Sequence, residues 1–356
     1  MRARGTDRQG DPNPTVDVVE DRVVTARGSS QELGRAHGEA LRPLIHDAVD
    51  AWAMSQGEIE QFLGATDFLT PMRTHTPGLV AELEGIAEGA ALPFATVFAY
   101  NLLDEGWWWD RRGRDIALGC TVLALLDGGD ARPVLAQNMD LGEHNNGFQV
   151  VLRFTPDDGL PITVLSMAGC LGLTGANDEG VGVCVNTLPM LRHRASGLPV
   201  AAVLRGVLSR RSRHEGAAFV RSVPHAAGQN YAIGDGAGLT DLEADANGIS
   251  EVSFEEGRFA HTNHPLESPS VEKADAEGVV NSKRRLTRAR ERLASAKTAG
   301  DLALVLEDRD APICATGEGG RWTFGSILMT LGAPPSIRVA LGPPNRTAWL
   351  DVSPAA

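Results

Sequence analysis

The 356-residue sequence is short of several things, and each shortage narrows what the protein does. Basic charge is scarce: 33 lysines and arginines face 46 aspartates and glutamates, a net charge of −13. Such a surface argues against nucleic acid or an anionic membrane as partner. Long apolar runs are missing, since the longest near-apolar stretch, Ile116 to Leu126, is too short to cross a bilayer. The start, Met1 to Pro14, is polar and lacks the apolar segment of a secretory signal. A flexible arm over residues 1–15 and a soluble, cytoplasmic protein are therefore expected. Only four cysteines occur, Cys120, Cys170, Cys184 and Cys314, and none forms a Cys-x-x-Cys pair. Each is by default a small buried hydrophobe. Aromatic residues make up 5%, yet three of the six tryptophans adjoin at Trp107, Trp108 and Trp109. We read that trio as an ordinary packed or partly exposed patch, in preference to the cap of an acyl pocket.

Familiar signatures are missing too. There is no P-loop, His-Glu-x-x-His or Gly-x-Ser-x-Gly. Gly234 to Gly238 misses the dinucleotide spacing and reads as a turn. His261 and His264 flank Asn263, but no third metal ligand is evident nearby, so neither metal nor cofactor is expected.

What is present is ordinary globular material, 42% hydrophobic and 22% charged, enough for a full core. One strand-like alternation, Val16 to Ala26, precedes a helical region. Ser29 and Glu32 fit a capping box, and apolar residues from Leu33 to Trp52 recur at helical spacing. Pro77 opens a second helix, and a third follows Pro93. From Cys120 onward the texture changes to short strands, then two helices over 200–208 and 214–223, and more strands. Two further helices cover about 283–293 and 299–307, and three strand-like pieces end the chain. Sheets covered by helices within one domain, residues 16–356, follow from this order.

Cys120 sits where helical texture gives way to strands. The next strand ends in Gln137-Asn138-Met139-Asp140, which hairpin pairing would return beside Cys120. If the Gly119–Cys120 bond is cut, Cys120 gains an α-amino group with a reference pKa of ~7.7–8 that can act as base for its own thiol. Gly119, without a Cβ, permits close approach and unusual backbone angles.

The chain resembles the self-processing acyl-CoA:6-aminopenicillanic-acid acyltransferase family. The likeness runs through Gly34 to Gly38, Asn101 to Glu105, Gly119-Cys120-Thr121 and Gln137 to Asp140, with Met139 replacing the usual aromatic. It continues through Gly175 to Gly180, His261 to His264 and Ser282 to Arg285. The resemblance implies an α+β fold, the four-layer αββα arrangement of N-terminal nucleophile (Ntn) hydrolases. It implies self-cleavage into residues 1–119 and 120–356, which stay associated. It makes Cys120 the nucleophile, Asp140 the group orienting the freed amine and Asn263 the oxyanion donor. Ser282 and Arg285 support the site or neutralise a substrate carboxylate, with Arg284 as the alternative inward residue. The implied activity transfers an acyl group from a small N-acyl compound, or from an acyl-CoA, to water or an amine. Two alternatives stand beside it: a bile-salt or penicillin V amidase-type hydrolase, and an unprocessed binding relative. The amidase reading loses ground because a long segment precedes Cys120 and no arginine follows within ten positions.

Overall fold

The computed structural model describes residues 22–109, 119–127, 132–254, 257–269, 276–317 and 320–354. The expected arm over 1–15 and the start of the first alternation lie outside these residues. The chain opens with β1 (Val23–Gly28) and then α1 (Ser30–Ala40), α2 (Arg42–Trp52), α3 (Gln56–Gly64), α4 (Leu69–His75), α5 (Pro77–Ala90), α6 (Phe94–Tyr100) and α7 (Leu103–Trp109). Next come β2 (Gly119–Leu125), β3 (Val134–Gly142), β4 (Gln149–Pro156), β5 (Ile162–Met167), β6 (Thr174–Asn177) and β7 (Gly182–Thr187). Helices α8 (Val200–Leu208) and α9 (Arg213–Ser222) lead to β8 (Gln229–Asp235), β9 (Gly238–Ala244), β10 (Ile249–Glu251) and β11 (Arg258–His261). Helices α10 (Ala276–Leu293) and α11 (Ala299–Leu306) precede β12 (Arg321–Thr330), β13 (Ser336–Ala340) and β14 (Leu350–Asp351).

Local rules place several of these ends. Ser29 accepts the Glu32 backbone N–H while the Glu32 carboxylate takes the Ser29 N–H, closing the expected capping box. The single helix expected from Leu33 to Trp52 is two, broken at Leu41. Pro43, in the first turn of α2, has no N–H to continue the ladder. Residues 171–173 form a loop that uses Gly172 at φ +144°, and β6 starts at Thr174.

Two sheets result. One has eight strands in the order β1-β4-β5-β6-β7-β8-β9-β10, the other six in the order β11-β2-β3-β12-β13-β14. Period-two alternation then sorts the side chains. On β4, Val150, Leu152 and Phe154 join the helices before residue 101 and α8–α9 in one core, while Val151 turns the other way. Val151 meets Leu165, Cys184 and Ala232 of its own sheet and Val122, Ala124, Leu135, Ile327 and Val339 of the second sheet. The far face of the second sheet, Leu123, Leu125 and Ala136 among others, packs on Leu286, Ala289 and Leu293 of α10 and Leu302 and Leu306 of α11. Helices, sheet, sheet, helices: this is the four-layer αββα arrangement that the resemblance implied. Among the described residues no helix is long and apolar enough to cross a membrane.

Candidate active site

Cys120 is the second residue of β2, a strand buried along its whole length between the inter-sheet core and the α10–α11 layer. Strand register assembles its surroundings. The β2–β3 ladder sets Gly119 opposite Asp140 and Cys120 opposite Met139, as the hairpin expectation required. The β11–β2 ladder sets His261 opposite Val122. Continued by two residues, it carries Asn263 to Cys120.

The Cys120 peptide is held at both ends. Its N–H donates to Asn263 Oδ1 at 2.7 Å, and its carbonyl accepts from Arg285 Nη1 at 2.6 Å. Arg285 is 1% exposed. It also donates to Thr121 Oγ1 (3.1 Å), Asn263 Oδ1 (2.8 Å) and Asn281 Oδ1 (2.8 Å). Arg284, one residue earlier on α10, is exposed, so Arg285 is the inward arginine. Burial and the nearby Arg321 cation bring Arg285 down to about 10, which leaves it charged at neutral pH. With every guanidinium nitrogen bonded inside the protein, Arg285 is a frame for Cys120 and Asn263.

Two donors fix which way the Asn263 amide points, because Cys120 N and Arg285 Nη2 both require its oxygen. Its Nδ2 donates to the Thr187 carbonyl at 3.0 Å. Thus the amide oxygen of Asn263 faces the Cys120 N–H, and its nitrogen faces Thr187. The Asn263 backbone N–H donates to Ser282 Oγ at 2.8 Å, and His264 Nδ1 lies 2.7 Å from the same hydroxyl. Burial, then the His261 ring, push His264 down to about 4. His261 is pinned between the Thr262 carbonyl and Glu243, whose carboxylate also gathers the backbone N–H groups of Leu266, Glu267 and Ser268. Among the described residues no three or more His, Cys, Asp or Glu side chains are grouped to hold a metal.

Asp140 is fully buried. Thr323 Oγ1 donates to its Oδ1 at 2.6 Å, and Arg321 Nε pairs with its Oδ2 at 3.3 Å. A register shift between Thr323 and Gly325 on β12 sets up this corner. Burial raises the Asp140 pKa, opposed by Arg321, Arg285 and Thr323. A Cβ on Gly119 would lie 2.9 Å from both Asp140 Oδ2 and Arg321 Cδ. Glycine is needed here for space; it sits in regular strand, without the unusual backbone angle expected of it. The other polar residues of the motif are pins: Gln137 Nε2 donates to the Val185 carbonyl, and Asn138 Nδ2 to the carbonyls of Leu306 and Ile313.

Cys120 is 6% exposed and lines a cavity of about 600 Å³. Burial, then the Asp140 charge, push its thiol up to about 12. The other three cysteines are buried and free; Cys184 belongs to the inter-sheet core. Trp107 and Trp109 line the cavity, which corrects the reading of that trio as an ordinary patch. Sequence reasoning missed Thr187, Arg321 and Thr323 as site residues. No local signal marks them, because each reaches the site through pairing with a distant strand.

A family profile for acyl-coenzyme A:6-aminopenicillanic acid acyl-transferase matches residues 127–345, more than half of the chain. The chain belongs to this acyltransferase family. The matched span starts after Cys120 and contains Asp140, Asn263, Ser282 and Arg285. Over 256 residues the chain is 29% identical to the 40 kDa form of acyl-coenzyme A:6-aminopenicillanic-acid-acyltransferase from Emericella nidulans, covering 68% of this chain and 69% of that protein. Among solved structures, the Caenorhabditis elegans ortholog of N-acylethanolamine-hydrolyzing acid amidase matches with a TM-score of 0.44 and 13% identity, over 59% of this chain and 92% of that one. Penicillin V acylase from Agrobacterium tumefaciens matches at 0.41 and 12%, over 65% and 86%. Those values bear on neither substrate nor mechanism. Family membership makes the activity class acyl transfer or amide hydrolysis.

Proposed function

We propose that the chain cuts itself between Gly119 and Cys120, and that the freed Cys120 then transfers an acyl group from a small N-acyl substrate to water or an amine. The observation that carries this reading is the held Cys120 peptide: nitrogen on Asn263, carbonyl on Arg285, and the residue on a substrate-sized cavity.

In self-cleavage Cys120 Sγ bonds to the Gly119 carbonyl carbon and the Gly119–Cys120 C–N bond breaks. The thiol proton goes to the departing nitrogen, which becomes the α-amino group. Water then opens the thioester, giving a Gly119 carboxylate and a free thiol. With the thiol near 12 in the intact chain, thiolate is scarce and the proton must move as the sulfur attacks. Afterwards the α-amino group, with a reference pKa of ~7.7–8, takes that proton in each turnover and returns it to the leaving amine. Asn263 Oδ1 and Asp140 hold the amine, and the second hydrogen of Asn263 Nδ2 is the donor we assign to the oxyanion. Ser282 fixes the Asn263 main chain. Arg285 and Ser282 are positioning residues in this scheme.

The two fragments stay together because residues before 120 supply β1, paired with β4, and the first helices of a core that they share with β4, β5, α8 and α9. The test is turnover of phenylacetyl para-nitroanilide. Cys120→Ala should remain uncut and lose at least about a thousandfold in nitroaniline release. Wild-type release by Cys120→Ala would refute the nucleophile.

A further inference from the structure

We propose that the cavity beside Cys120 selects N-acyl substrates that carry an ammonium group, and that Asp104 reads this charge. The inference rests on the acyl-transfer reading above and narrows its substrate class.

The described residues lining the cavity carry charge of one sign. Glu58, Asp104, Glu105 and Glu143 line it together with Asp140, and among the described residues lining it there is no lysine or arginine. Asp140 has Arg321 beside it. Asp104 has neutral partners: Thr187 Oγ1 donates to its Oδ1 at 2.5 Å and Gln229 Nε2 at 2.8 Å. A carboxylate with neutral donors keeps its field directed at whatever enters the cavity. Glu105 is differently used, because its Oε1 accepts the N–H of Val200, the first residue of α8. Burial and the Asp104 charge push Glu105 up to about 8, and burial raises Asp104 as well, opposed by its hydrogen bonds from Thr187 and Gln229.

Asp104 is also within reach of the reacting atoms. Cys120 N–H meets Asn263 Oδ1, Asn263 Nδ2 meets the Thr187 carbonyl, and the Thr187 hydroxyl meets Asp104. One threonine therefore separates the charge from the side chain that touches the nucleophile. A separate feature points the same way: Trp52, Trp107 and Trp109 line the same cavity. Indole rings are the aromatic groups that attract cations most strongly. Carboxylate and indole walls together suit an alkylammonium group. They repel a substrate bearing phosphates or a free carboxylate, which the acyl-coenzyme A and aminopenicillanic acid of the family's name both bear.

The ammonium group can belong to the acyl part or to the amine part, and two substrate series separate these sources. β-Alanyl, butyryl and succinyl para-nitroanilides put a cation, no charge and an anion on the acyl side. The phenylacetyl amides of putrescine and butylamine do the same, cation and neutral, on the amine side. With the purified full-length protein, the cationic member of one series should exceed its neutral match in kcat/KM by at least about tenfold, with the succinyl anilide slowest of its series. Asp104→Asn should bring that ratio close to one through a higher KM for the cationic substrate, and Asp104→Glu should keep a ratio above one. A merely structural Asp104 would change both substrates alike and leave the ratio standing, which overturns the assignment. Should Asp104→Asn fail to fold, butylammonium ion must still inhibit the wild-type enzyme on a neutral amide better than butyrate does. The reverse order overturns the proposal. Equal turnover of cationic and neutral substrates in both series, by a chain that cleaves neutral amides, overturns the charge preference and leaves the acyl-transfer reading intact. A cut chain that turns over no amide removes both.

Discussion

At the scale of single residues, the site depends on how few side chains hold the Cys120 peptide. Arg285 makes four hydrogen bonds, two of them to Cys120 O and Asn263 Oδ1. Removing it frees the Cys120 carbonyl and lets the Asn263 amide turn. Arg285→Gln should slow self-cleavage about a hundredfold, the scale of a lost oxyanion-type donor. Arg285→Lys should not restore it, since an ammonium cannot span the forked acceptors. Denaturing gel electrophoresis of timed samples reads the rate, and cleavage at the wild-type rate in either variant would contradict the role. Cys120 and Asp140 were legible in the sequence because one hairpin joins them. Asn263, Ser282 and Arg285 were legible only through the family resemblance. Asp104 lay inside a motif noticed only as resemblance, and its partners Thr187 and Gln229 come from separate strands. Arg321 reaches Asp140 through the irregular β12–β3 pairing, which no local pattern encodes.

At the scale of elements, α1 and α5 cross with backbone against backbone. Gly34 and Gly38 on one helix and Gly85 and Gly89 on the other leave no room for a Cβ, because each would run into backbone of the facing helix. The resemblance marked Gly34 to Gly38; the structure supplies the reason, which is contact between backbones. Gly85→Ala should destabilise by about 1–3 kcal/mol or more through overpacking. Gly57→Ala, on α3 with no atom within 4 Å of the added carbon, should stabilise by up to about 1 kcal/mol. Urea midpoints measure both, and an unaffected Gly85→Ala would remove the tight-crossing account. Capping boxes and proline starts marked α1 and α5 well. Helices α3, α4 and α7 were not singled out in the sequence reading, although Ser55 and Glu58 start α3 with the same capping box. Strand β11 is four residues long and gains its identity from pairing with β2.

At the scale of the whole molecule, the order of strands and helices was enough to suggest helices over sheets, while the sheet membership was not readable. β10 and β11 follow one another in sequence yet belong to different sheets, and β1 joins β4 in the one parallel pairing among the described strands. That crossing from sheet to sheet is what delivers Asn263 to Cys120. β1 and the helices before residue 119 also explain why a cut chain would keep its shape, since they complete a core shared with β4, β5 and β7. The direct test of the central claim is the intact mass of freshly purified, denatured protein beside Cys120→Ala. The account predicts two masses for the wild type, residues 1–119 and residues 120–356 with Cys120 at the new N-terminus, and one full-length mass for the variant. A single full-length mass for both, after incubation at neutral pH, would contradict it.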